Sequence, residues 1–193
     1  MSYKKIKIFI LVLPTIMLGA CVTANLPKIP KHDNSFVSVN DNRTEKDKAE
    51  QRDNVLSAAI FLGDTDLDTN LKDYFIYKLT LNKPKAINSV NVQIDKLRVV
   101  DYFPKRMSVG IREWVFMPNT DIKVVSKNDL PTNTDMVITY FKGKVNGKDL
   151  IAKGVYPYKM KPSSVMVRSD PNFIRAVNKS IDITVNSVYK QVQ

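Results

Sequence analysis

The strongest pattern in the chain lies near its C-terminal end. Ile174, Val177, Ile181, Val185, Val188 and Val192 recur at steps of three and four, with Arg175, Lys179, Asp182, Asn186 and Lys190 mostly off that stripe. This spacing puts apolar side chains on one face of an α-helix. Asp170 and Pro171 stand just before it: a carboxylate that can accept backbone N–H bonds, and a proline that suits the first helical turn. The pattern predicts a helix over about 171–192 that packs on a sheet. Leu67, Leu71, Phe75 and Leu79, with Tyr74 beside them, predict a second helix over about 66–82, capped by Asp66 or Asp68 and stopped by Asn82 and Pro84.

Elsewhere the period drops to two, or the run is short and apolar. Residues 35–39 suit a short strand, and the polar stretch 44–54 suits a loop or one exposed helical turn. Val55 to Leu62 reads as a buried strand. From Ile87 to Phe103 the apolar positions are Val90, Val92 and Ile94, then Leu97 and Val99; the switch of parity predicts a bulge near Asp95-Lys96. Val109 to Met117, and Ile122 to Val125, suggest two further short strands. Residues 135–145 and 149–160 read as a hairpin about Asn146-Gly147, two residues that take positive φ readily. On its first strand Phe141, Gly143 and Val145 share one face, and Tyr140, Lys142 and Lys144 the other. Pro157 marks an edge or a strand end. The sum is an α+β domain over 35–193: a largely antiparallel twisted sheet with two helices, about 66–82 and 171–192, packed on it.

The first twenty residues belong to no domain. Lys4, Lys5 and Lys7 precede an apolar run from Ile8 to Leu18, and Leu18-Gly19-Ala20 lead to Cys21, the only cysteine in the chain. This is a targeting layout. The residues resemble the lipobox of bacterial lipoproteins, in which Leu18, Gly19 and Ala20 are read by the signal peptidase and Cys21 carries the lipid. An uncleaved membrane helix is the alternative, but Pro14 interrupts the run, which falls short of the ~20 residues a span needs. Residues 21–34, with Pro27 and Pro30, read as a lipidated tether that keeps the domain away from the bilayer. Val22, where an aspartate would favour the inner membrane in this class, points to the outer membrane with the domain facing the periplasm.

The whole chain carries a formal charge of +11, and losing the three signal lysines leaves +8. A basic balance admits nucleic acid, anionic lipid or an acidic protein partner. Export argues against nucleic acid, and no aromatic RNA-binding signature is present. Catalytic and metal motifs fail one by one. Asp64 to Asn70 starts like a calcium loop but has Thr69 and Phe75 where glycine and glutamate are required. His32 is the only histidine, which leaves no usual zinc set and no triad on a rigid element. No glycine-rich phosphate loop occurs. The expectation is therefore no enzyme, no metal and no cofactor. One basic cluster remains: Lys142, Lys144, Lys148, Lys153, Lys159, Lys161 and Arg168, interspersed with Tyr140, Tyr156 and Tyr158. Lys142, Lys144, Lys153, Lys159 and Trp114 form the candidate partner or anion surface. The competing reading is edge-strand lysines that prevent sheet-to-sheet association.

The order of elements, together with VSVNDNR (37–43), DMVITYFKGKVNGKDLIAKGVYPYKM (135–160) and NFIRAVNKSIDITVNSV (172–188), resembles the YajG-like outer-membrane lipoproteins. Asp41 and Arg43 fall where that family tends to carry acid-x-arginine after its first strand. The resemblance implies a helix-packed sheet, no known enzymatic activity, and service as a non-catalytic interaction or assembly component of an envelope complex. The alternative function is a periplasm-facing lipid- or glycan-binding module that uses the basic, tyrosine-bearing face.

Overall fold

The computed structural model describes residues 26–31, 35–52, 59–103, 114–116, 123–126, 134–160 and 170–193; for 52, 114–116 and 123–126 it describes the backbone alone. The signal residues, Leu18, Gly19, Ala20 and Cys21, lie outside this set, as do His32, Lys161, Arg168 and much of the expected strands at 55–62 and 109–117.

The elements run β1 (Val37–Asp41), α1 (Glu45–Lys48), β2 (Gln51–Arg52), β3 (Ala59–Leu62), α2 (Leu71–Leu81), β4 (Val90–Tyr102), β5 (Trp114–Phe116), β6 (Lys123–Ser126), β7 (Met136–Val145), β8 (Lys148–Pro157) and α3 (Pro171–Val192). Six strands form one sheet in the order β2-β3-β4-β7-β8, with β1 also on β4, while β5 and β6 pair separately. The fold is thus α+β. The sheet is antiparallel except for β1, which runs parallel to the first half of β4 (Val37 opposite Val90, Asp41 opposite Ile94). β3 takes the second half of the same β4 edge.

The parity switch in β4 is a bulge. The register with β7 shifts between Ile94 and Lys96, so one extra residue, Asp95, returns Leu97 and Val99 to the face already used by Val90, Val92 and Ile94. The hairpin turn also follows its residue types: Asn146 has φ of 52° and Gly147 of 80°, the left-handed pair a two-residue turn needs. Its geometry ties back to β4, because Asn146 Oδ1 accepts from the Asn91 amide at 2.8 Å.

α3 begins as its sequence indicates. Asp170 accepts from the Asn172 amide at 2.7 Å and Pro171 occupies the first turn. The helix buries Val177, Ile181, Val185 and Val188, but also Phe173, Ala176, Ser180, Thr184 and Tyr189. It lies across β7 and β8. A side chain at Gly154 would collide with the Ser180 carbonyl and approach Thr184 Oγ1 to 2.5 Å, so the helix backbone rests on the bare strand. Thr139 and Ser180 share a hydrogen bond of 2.7 Å, and Thr184 donates to the Ser180 carbonyl at 2.8 Å, which gives each of the three buried hydroxyls a partner.

α2 is shorter than its apolar period. The cap is Asn70, which accepts from the Lys72 and Asp73 amides, and not Asp66 or Asp68. Asp66 is used one turn earlier, accepting from the Gly63 amide at 2.6 Å. Leu67 is still buried, ahead of the helix. α2 meets α3 through Tyr74 OH, which donates to Asn178 Oδ1 at 2.8 Å, and through the Lys78–Asp182 ion pair at 2.9 Å. Burial pushes the Tyr189 hydroxyl up to about 12 while it donates to the Leu79 carbonyl.

Two apolar clusters flank the sheet. The larger, under α2 and α3, includes Phe75 stacked on Phe141 at 5.2 Å. The smaller lies on the opposite face: Ala59, Phe61, Val100, Tyr102, Met136, Ile138 and Tyr140. Tyr140 therefore does not stand exposed beside Lys142 and Lys144; it is 3% accessible. The segment 26–31, expected to be tether, also joins the fold. Leu26 is buried in the larger cluster and Ile29 packs against it.

Candidate interaction surface

Among the described residues, polar chemistry concentrates in three places, and two of them are internal. The first is the end of β1. Arg43 is fully buried at its side chain, between Asp41 (Nε to Oδ1, 2.9 Å) and Asp64 (Nη1 to Oδ1, 2.9 Å). Nη2 completes two-pronged contacts to both carboxylates, at 3.0 Å to Asp41 and 2.9 Å to Asp64. Burial alone would raise the Asp41 carboxyl, but the hydrogen bonds and charge of Arg43 outweigh it and hold the group below its ordinary value. The neighbouring Arg98 donates to the carbonyls of Lys46 and Ala49 and so fastens the single turn of α1 to the sheet. Asp64, Asp66 and Asn70, the start of the calcium-like segment, are engaged with Arg43, the Gly63 amide and the helix start respectively.

The second place is the end of the sheet away from the β7–β8 turn. Tyr158 OH donates to Asp101 Oδ1 at 2.7 Å, and its ring meets Phe173 edge-on at 5.5 Å. Tyr158 is buried and Tyr156 packs against the larger core. With Tyr140 in the smaller cluster, the three tyrosines do not assemble into one exposed aromatic face.

The third place is open to solvent. At the hairpin end, Asp95, Lys142, Gly143, Asp149, Leu150, Ile151 and Gln191 line a groove of about 510 Å³. Its shape follows from three local facts. The bulge projects Asp95; the tight turn sets Lys142 opposite Ile151 and Lys144 opposite Asp149; and the last turn of α3 carries Gln191 to the edge. A two-residue hairpin makes Val145 and Lys148 a hydrogen-bonded pair, so Asp149, Ile151, Lys153 and Val155 turn their backbone groups outward. Gln191 Nε2 donates to the Ile151 carbonyl at 3.0 Å. Among the described residues no strand pairs with this edge of β8. Ile151 is 54% accessible, one of four exposed large apolar side chains among the described residues.

Of the candidate residues, Lys142, Lys144 and Lys153 therefore lie on one face of the β7–β8 hairpin. Lys144 pairs weakly with Asp149, at 3.7 Å and well exposed. Lys159 is remote from them: it follows the far end of β8, where its carbonyl accepts from Asn172 Nδ2 at 2.8 Å beside the start of α3. Trp114 belongs to the separate β5–β6 ladder, opposite Ser126. The groove-lining Asp95, Ile151 and Gln191 were not in the candidate set. The bulge signal and the exposed position of Ile151 on an alternating edge strand would have pointed to the first two. Gln191 carried no signal, since only the packing of α3 brings it there.

Among the described residues, no three or more His, Cys, Asp or Glu side chains are grouped to hold a metal ion. No helix among them is long and apolar enough to cross a membrane. Compared with known proteins, the chain matches no family model, and no curated protein matches it significantly.

Proposed function

We propose that the protein is an outer-membrane lipoprotein of the YajG-like class, anchored through Cys21 with its domain in the periplasm, and that it acts as a non-catalytic interaction component of an envelope complex. The observation that carries this reading is the exposed Ile151 on the open edge of β8, at the lip of a groove rimmed by Lys142. An apolar anchor beside cations suits a protein segment with an apolar side chain and flanking acids. An edge strand adds backbone hydrogen bonds to such a contact.

Replacing Ile151 by a photo-crosslinking residue in the acylated protein should capture a discrete envelope protein in cells. Lys142→Glu with Lys144→Glu should remove that product by reversing the charge of the rim. Crosslinks to lipid or glycan alone would replace this reading with that of a binding module.

The anchor is tested separately. Cys21→Ser should abolish lipid labelling and release the domain from the membrane fraction. Undiminished labelling of that variant would remove the lipoprotein reading.

A further inference from the structure

Leu26-Pro27-Lys28-Ile29-Pro30-Lys31 is a triplet written twice: apolar, proline, lysine. Proline favours the polyproline II helix, which has three residues per turn, so residues three apart share an edge. The exposure pattern follows that period. Leu26 is buried and Ile29 half-buried, whereas Pro27, Lys28, Pro30 and Lys31 are exposed. The two apolar residues both contact the larger core. Such a segment is a strap lying along the domain, with one edge docked and one edge cationic.

We infer that this strap holds the domain against the bilayer and offers Lys28 and Lys31 to anionic phospholipid headgroups. The inference rests on the lipid anchor at Cys21. Leu26 follows Cys21 by five positions, so the docked residue lies within about 18 Å of the lipid-bearing one. A free chain from Cys21 to Ser35 would instead reach roughly 49 Å. Lys28 and Lys31 follow the lipid by seven and ten residues. Their ammonium groups sit on the exposed edge of the strap, where a short lead brings them close to headgroup phosphates. Attraction over such distances fades within a Debye length of about 8 Å at physiological salt, so the docked strap makes it effective and a slack tether would not.

The test uses the acylated protein on vesicles of phosphatidylcholine with and without phosphatidylglycerol. Trypsin can cut after Lys28 and Lys31 and so free the domain from the vesicle. The native strap should be cut slowly, and Leu26→Ser with Ile29→Ser should speed release at least tenfold while the domain stays folded by circular dichroism. Equal release rates would overturn the docking. A second variant, with a long Gly/Ser insertion between Ala24 and Asn25, leaves the docked residues intact. Energy transfer from a domain-bound dye to a lipid dye should be high for the native protein and should fall in the insertion variant. Lys28→Glu with Lys31→Glu should lower transfer on phosphatidylglycerol vesicles only. Low transfer for the native protein, or no dependence on phosphatidylglycerol, would overturn the bilayer contact. Mass spectrometry of the N-terminal peptide in the same sample reports the lipid. Its absence would overturn the anchor and the bilayer contact, and trypsin would still decide the docking.

Discussion

Arg43→Met should cost about 3–5 kcal/mol of stability at neutral pH, the range seen when one partner of a buried ion pair is removed. The guanidinium lies between the Asp41 and Asp64 carboxylates, at 2.9 Å from each. Removing it leaves two negative charges facing each other at the junction of β1, α1 and the end of β3. The pH dependence has a definite sign. Arg43 keeps the Asp41 carboxyl below its ordinary value. That group's contribution is fully present above its unfolded pKa near 3.9 and is lost as pH falls through the folded value. In Arg43→Met the carboxyl loses the cation, and protonation relieves the repulsion. The gap between native and variant should therefore be widest at neutral pH and narrow in acid. Denaturant titrations at pH 7 and pH 4 read this directly, and a gap that widens in acid would contradict the electrostatic account. Adding Asp41→Asn and Asp64→Asn to the variant should recover part of the loss, because no uncompensated charge then remains buried.

The second large effect is expected at Gly154. Valine there must share space with the Ser180 carbonyl and with Thr184, whose amide would stand 2.8 Å from the new Cβ. The obstacle is helix backbone, which cannot swing aside as a flexible side chain would. α3 has to lift off β8, and the hydrogen bonds that Ser180 and Thr184 make to Thr139 go with it. Overpacking of this kind costs typically ~1–3 kcal/mol, occasionally more, and the Thr139 hydroxyl, left without its Ser180 partner, adds ~1–3. Gly154→Val should thus cost roughly 2–6 kcal/mol, and Gly154→Ala should fall between it and the native protein. Thermal melts of both would measure the series. Equal melting of all three proteins would mean that α3 does not rest on this strand.

The elements that were legible in the sequence are those whose signal is local. α3 announces itself by an apolar stripe, an aspartate cap and a proline in the first turn, and it occupies Pro171–Val192. The hairpin follows from Asn146-Gly147, since that pair supplies the two positive φ angles itself. The bulge at Asp95 follows from parity, because an alternating strand that keeps one buried face must gain a residue where its phase changes. α2 was legible in period but not in its start. Asp66, Asp68 and Asn70 are equally good caps by type, and Asp66 is taken by the Gly63 amide.

What tertiary structure decided are the relations between distant residues. Nothing periodic links Arg43 to Asp64, 21 positions on, yet their two-pronged contact ties the end of β1 to the end of β3 along the β4 edge. The parallel pairing of β1 with β4 is equally silent in the sequence, because either direction accepts the same alternation. Tyr140 alternates with buried residues like any exposed position, but the second face of the sheet also carries an apolar cluster, so it is buried while Lys142, two residues on, is not. The candidate surface divides along the same line. Sequence alone put Lys142 and Lys144 on one strand face; the β7–β8 register added Lys153 to it, and the packing of α3 added Gln191 to its rim and placed Lys159 at the far end. Local propensity and period act within a few residues of one chain segment, whereas a groove or a buried ion pair exists only when burial of apolar surface has brought separate segments together.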